Sequence, residues 1–134
     1  MMNYKTLWLL FFVLASGIAS AQREFKTTEG DTTYTMKRYV FMLLMAGENT
    51  QQDSLTAVTI QKGHMDHLNK MSADGQLVMA GPFQEGGKYR GLLVFDVETT
   101  EEAIRLESDD PALKAGRLRM ETFYWWAAKG TVLP

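Results

Sequence analysis

Two histidines lie close together within the segment Gly63–His67, and they are the only histidines among the 134 residues. The unperturbed pKa of an imidazole lies nearest neutrality, so His64 or His67 could accept or donate a proton under physiological conditions. A carboxylate bonded to one ring nitrogen would fix the tautomer and leave the other nitrogen to take a proton from a substrate. Because the chain contains no cysteine, thiol catalysis and thiolate metal sites are excluded.

We expect a helix from about Ser54 to about Ala73 to position both histidines. Asp53 or Ser54 offers a side-chain oxygen for the N-cap, and Gly75 can adopt the left-handed conformation that ends a helix. At about 100° per residue, His64 lies in the middle of the apolar face, His67 lies near its edge, and Gly63 points toward solvent. That face comprises Ala57, Ile60, His64, Leu68 and Met71.

Helical phase leaves more than one interpretation of these histidines. His64 is either a proton-transfer residue above a sheet or a core histidine that bonds a backbone carbonyl. We interpret His67 as a border residue in contact with water. The two could also share a metal ion with Asp110, but a spacing of three residues is common by chance and no further ligand cluster is visible. We therefore expect no metal and no cofactor.

Asp110, in the sequence Asp109-Asp110-Pro111, is the candidate carboxylate. Proline at the first helical position makes Asp110 the expected N-cap of a short helix that Gly116 ends. A simple N-cap is one interpretation of Asp110. Both roles are compatible, because one carboxylate oxygen can cap the helix while the other orients the His64 ring.

The remaining pattern predicts the order strand, helix, strand, strand, helix, strand. The predicted strands cover residues 39–46, 77–80, 90–97 and 118–126, and the second helix, capped by Thr99, ends near Glu107. This order is typical of an α+β ferredoxin-like βαββαβ fold, with a four-stranded antiparallel sheet and helices on one face. The segment Tyr39–Ala46 is apolar without alternation, so both of its faces should be buried. We therefore expect a homodimer through the open sheet face, which would make a dimeric α/β barrel.

These motifs together resemble the YCII-related (YciI-like) family. The resemblance covers about Tyr39 to Trp126 and includes His64, the turn 80–82, Glu101-Glu102-Ala103 and the segment 109–111. It implies a small ferredoxin-like protein that pairs as a dimeric α/β barrel, with a His/Asp site at His64 and Asp110. Some relatives are enzymes that act on small aromatic or lactone-like molecules. The chain departs from the family pattern at its N-terminus and at His67.

The N-terminus predicts export. Residues 1–21 have a charged start, an apolar run and Ala19-Ser20-Ala21, as in a secretory signal peptide. The apolar run of about 13 residues is shorter than the roughly 20 of a membrane-spanning helix, so we expect no stable membrane anchor after cleavage. We expect a polar, mobile tether at 22–37, in which residues 33–36 could form a short strand, a YCII-related domain at 38–130, and a periplasmic or secreted protein.

Composition limits the function without naming a substrate. The formal net charge is −2 and basic residues are scattered, which argues against nucleic acid as a partner. Two hypotheses remain. In one, the protein is an enzyme in which His64, oriented by Asp110, acts as general acid or base on a small molecule. In the other, a non-catalytic binding or accessory module holds an unknown small ligand in the same pocket.

Overall fold

The computed structural model describes residues 23–134, and the signal peptide predicted at 1–21 lies outside these residues. The elements in chain order are β1 (Glu24–Glu29), β2 (Thr32–Ala46), α1 (Ser54–Ala73), β3 (Leu77–Pro82), β4 (Tyr89–Phe95), α2 (Thr100–Glu107), α3 (Pro111–Lys114) and β5 (Leu118–Ala128). Strands β5, β2, β4 and β3 lie side by side in that order, and every pairing is antiparallel. With its helices on one side, this is the expected α+β ferredoxin-like fold, enlarged from four strands to five.

The fifth strand corrects the expectation of a polar tether at residues 22–37. Residues 24–29 form β1, which pairs with residues 32–37 of β2 across a tight turn at Gly30, where φ is 58°. Threonine-rich segments suit an extended backbone, and pairing with a long neighbouring strand satisfies their backbone groups without a core of their own. The hairpin is anchored by Asp96, whose carboxylate accepts from Arg23 at 2.5 Å and from Lys37 at 2.8 Å.

Only one face of strand β2 packs into the centre of the core. Val40 and Met42 are fully buried and Leu44 is 4% exposed, and they pack in one cluster with residues of α1 and β4. On the opposite face Tyr39, Phe41 and Leu43 are only half-buried. Burial on both faces of this strand, as the sequence predicted, is therefore not achieved within one chain, because all the helices lie on one side of the sheet.

Helix α1 has the predicted bounds and caps. The Asp53 side chain accepts from the Thr56 N–H at 2.9 Å, and Gly75 follows the helix with φ of 78°. His64, Leu68 and Met71 are its buried residues, as the apolar face indicated. Among the described residues, no helix is long and apolar enough to cross a membrane.

Candidate functional site

His64 and Asp110 meet beneath helix α1. The His64 Nδ1 atom lies 2.5 Å from Asp110 Oδ2, and the other carboxylate oxygen of Asp110 accepts from the Ala112 N–H at 2.7 Å. Asp110 is completely buried, whereas the His64 side chain retains 11% exposure. Asp110 thus caps α3 with one oxygen and holds the imidazole with the other, so the two sequence interpretations of this residue describe one geometry.

The approach of these two residues depends on Gly63. A Cβ atom at position 63 would lie 2.8 Å from Cγ of Pro111, which is closer than real Cβ contacts allow. Because Gly63 has no side chain, the first turn of α3 can lie against α1. This close packing places Asp110 next to His64. The expectation that Gly63 points toward solvent was therefore wrong. It faces α3, and the close contact explains why the helix tolerates the poor helix propensity of glycine.

The electrostatics of the site keep Asp110 ionised. Burial acts to raise the pKa of Asp110, but hydrogen bonding with His64 and the Ala112 N–H, together with the neighbouring Glu107 carboxyl group, outweighs burial and lowers that pKa. An ionised carboxylate can only accept hydrogen bonds, so the proton between the two side chains resides on His64 Nδ1. The Nε2 atom, which makes no hydrogen bond to residues 23–134, is the nitrogen left for a substrate.

Glu107 is a third buried group that the sequence interpretation missed. Its side chain is fully buried, and neither carboxyl oxygen has a hydrogen-bond partner in the described chain. Burial raises the pKa of Glu107 to about 9, and the nearby Asp110 contributes in the same direction, although the two carboxyl groups fall short of hydrogen-bond geometry. Glu107 therefore carries a proton at neutral pH. One feature of the sequence could have indicated that Glu107 is buried: it lies four residues after Ala103, on the same face of α2.

His67 has a different environment from His64. Its Nε2 lies 3.0 Å from the Leu106 carbonyl oxygen and 3.7 Å from Glu107 Oε2. Because a carbonyl oxygen can only accept, Nε2 of His67 carries a proton and donates to it. The role of a core histidine bonded to a backbone carbonyl, considered for His64, belongs to His67. Its side chain is 14% exposed, so it is more enclosed than a border residue in water.

The YCII-related domain family matches residues 40–125, which is more than half of the chain. The chain belongs to the YCII-related family. No curated protein matches this YCII-related chain at a significant level.

The solved structures that are similar to this YCII-related protein include an enzyme, and the similarity extends over most of the enzyme's length. The enzyme is 5-chloro-2-hydroxyhydroquinone dehydrochlorinase from Burkholderia phenoliruptrix, in complex with 2,5-dihydroxybenzoquinone. The sequence identity is 19% and the TM-score is 0.48, over 64% of this chain and 92% of that one.

The same group of residues has the donor types of a metal site. His64, Glu107 and Asp110 each offer one ligand atom, and these atoms lie within 4.8 Å of one another. The sequence had instead suggested His64, His67 and Asp110 as the set, whereas His67 Nε2 donates to Leu106. His64 and Asp110 already share a hydrogen bond, which a metal ion would have to break. Glu107 carries a proton, which a bound cation would have to displace. This arrangement is better suited to holding and moving a proton.

Proposed function

We propose that this YCII-related protein is an enzyme that uses His64 as general acid or base on a small molecule, with Asp110 as the positioning residue. The observation that carries the proposal is the hydrogen bond between His64 Nδ1 and the buried, ionised Asp110. It orients the ring and leaves Nε2 as the exchangeable site, which is the arrangement that proton abstraction and return require. Because both side chains are largely buried, the low local dielectric strengthens the interaction between them.

The test is a turnover screen with paired histidine variants. The purified protein is offered small aromatic, lactone and enol substrates, and the His64→Asn variant is compared on each compound that is converted. Loss of a general acid–base group should lower kcat by about a hundredfold to ten-thousandfold. His67→Asn is the matched control on the same helix and should retain activity once folding is verified by circular dichroism. Full activity of a folded His64→Asn variant would refute the proposal.

A second candidate function is a ligand-binding or accessory module without turnover. It is favoured by the limited exposure of His64, whose side chain retains only 11% of its surface. In this case a ligand would bind near the pair and leave unchanged. Mass spectrometry of a ligand recovered after prolonged incubation distinguishes the two functions, since only the enzyme would return a modified molecule.

We further propose that the protein acts outside the cytoplasm. The support is the sequence of residues 1–21, with a charged start, an apolar run and small residues at 19 and 21. Cleavage after Ala21 would leave Gln22 as the new N-terminus. N-terminal sequencing of protein isolated from cell fractions tests this: an intact Met1 in the cytoplasmic fraction would contradict export.

We also propose that two copies pair through the open sheet face. This face carries an aromatic cluster in which Phe41 contacts Phe123 and Trp125 at centroid distances of 6.3 Å, and Tyr39 lies 6.4 Å from Trp125. Phe123 is 49% and Trp125 is 42% exposed, which is an unusual amount of exposed aromatic surface for a monomer. Trp125→Glu should convert a dimer to a monomer in analytical ultracentrifugation. A wild-type protein that sediments as a monomer at high concentration would contradict the pairing.

A further inference from the structure

A small cleft lies at one end of the sheet, between helix α1 and the start of β5. Its volume is about 210 Å³, which is below the range of about 300–1,000 Å³ that accommodates drug-sized ligands. The lining residues are Thr50, Gln61, Pro82, Arg90, Ala112, Arg117 and Leu118. Two of them are arginines and none is acidic, so the cleft has a local charge of +2 in a chain whose net charge is −2.

The two arginines are available to an anion. The Nη1 group of Arg117 donates to Gln52 Oε1 at 3.0 Å and lies 3.5 Å from the Thr50 carbonyl oxygen. These neutral acceptors fix the guanidinium without neutralising it, and the Nε and Nη2 hydrogens remain without partners among residues 23–134. Arg90 makes no side-chain hydrogen bond or ion pair within the same range. Elsewhere in the described chain Arg23 and Arg119 have carboxylate partners, Arg38 donates to the Glu98 carbonyl oxygen, and only Arg90 and Arg117 line a common cleft.

The cleft adjoins the His64–Asp110 pair from two directions. Gln61 is three residues before His64 and therefore one turn earlier on the same side of α1. Ala112 donates its backbone N–H to Asp110, and it also lines the cleft. The cleft is therefore lined by residues of two helices, α1, which carries His64, and α3, which Asp110 caps.

We propose that this cleft binds the carboxylate group of a small organic acid, and that such acids are the substrate class of the enzyme. A planar guanidinium matches the two oxygens of a carboxylate, and two such groups without carboxylate partners favour an anion over a neutral ligand. The small volume favours a metabolite-sized acid over a polymer. The assignment as substrate rests on the proposed function, whereas the binding of the carboxylate does not.

The test uses benzoate as the probe and benzamide as its uncharged counterpart. Binding to the purified protein is measured by backbone amide chemical shifts and by calorimetry. Benzoate should shift the amides that surround the cleft, benzamide should not, and Arg90→Gln should weaken benzoate binding about tenfold. Arg117→Gln should do the same, and Arg119→Gln is the matched control, because Arg119 lies two residues further along the chain and outside the cleft.

The outcomes separate this proposal from the catalytic one. His64→Asn should bind benzoate as the wild type does, so its activity and its binding report on different claims. If benzoate shifts no amide in the cleft, or if it binds Arg90→Gln and Arg117→Gln as tightly as the wild type, the carboxylate site is refuted. Binding of inorganic phosphate without any binding of benzoate would also overturn the assignment. Arg90 makes no side-chain bond within residues 23–134, so its variant should fold even if Arg117→Gln does not.

Discussion

Replacing Glu107 with glutamine should remove a pH-dependent loss of stability. Glu107 is fully buried on α2 without a hydrogen-bond partner in the described chain, and its pKa is raised from an ordinary value of 4.5 to about 9. The folded protein thus binds one more proton than the unfolded chain between these two pKa values. Because the native state holds the extra proton, the free energy of unfolding must fall as the pH rises through this window.

The magnitude follows from proton linkage. One proton difference changes the free energy of unfolding by about 1.4 kcal/mol per pH unit. From about pH 5 to about pH 8, the wild type should therefore lose up to about 4 kcal/mol relative to Glu107→Gln, which has no carboxyl group to ionise. Ionisation of Asp110 does not contribute to this stability difference between about pH 5 and about pH 8. Its pKa is lowered, so its own contribution to stability is lost only as the pH falls below its ordinary value of 3.8.

The assay is chemical denaturation of both proteins across this pH range. The predicted quantity is the slope of the stability difference with pH, because a constant offset from burying an amide would leave that slope unchanged. Glu101→Gln, on the exposed side of the same helix, is the matched control and should follow the wild type at every pH. A stability difference that stays flat from acid to alkaline pH would show that Glu107 is not a buried neutral acid, and the reasoning would be refuted.

Two further predictions concern the contacts that hold the site and the hairpin. Gly63→Ala should lower the free energy of unfolding by about 1 kcal/mol. The clash with Pro111 costs about 1–3 kcal/mol, and the higher helix propensity of alanine offsets about 1 kcal/mol of this cost. Thermal denaturation of Gly63→Ala, Pro111→Ala and the double variant measures this. Asp96→Asn should detach the N-terminal hairpin by removing the charge that binds Arg23 and Lys37, and hydrogen exchange of the β1 amides should become faster.

Each of these predictions has its own control. In the double-mutant cycle, Gly63→Ala should cost less when Pro111 is already alanine, and strict additivity would contradict the close contact. For the hairpin, Asp31→Asn at the exposed turn removes one negative charge without touching either cation. If both aspartate variants leave β1 equally protected, the Asp96 ion pairs do not anchor the hairpin.

Local sequence signals predicted most of the domain. The spacing of its apolar residues and the residues at its two ends were enough to predict helix α1. Asp53 and Gly75 both lie within one turn of the ends of this helix, so their effect is local. The same local logic found the N-cap role of Asp110, and the apolar face indicated that His64 is buried. The YCII resemblance, which the family match confirms, added the pairing of His64 with Asp110 across 46 residues.

The features that were missed depend on contacts distant in sequence. Glu107 was missed because nothing local in the sequence shows that its carboxyl group lies near Asp110. Gly63 could not be explained without knowing that Pro111 packs on it. The polar segment before residue 38 lacks a core of its own, and it becomes a strand only because β2 is long enough to pair with it.

The central claim is that Asp110 holds the Nδ1 proton of His64 and leaves Nε2 to exchange protons with a substrate. Nitrogen-15 NMR of the imidazole rings reports directly which nitrogen carries the proton. In its neutral form His64 should carry its proton at Nδ1 and leave Nε2 unprotonated, in contrast to His67, which should carry its proton at Nε2. The Asp110→Asn variant should lose this preference. A neutral His64 that is protonated at Nε2 in the wild type would contradict the account.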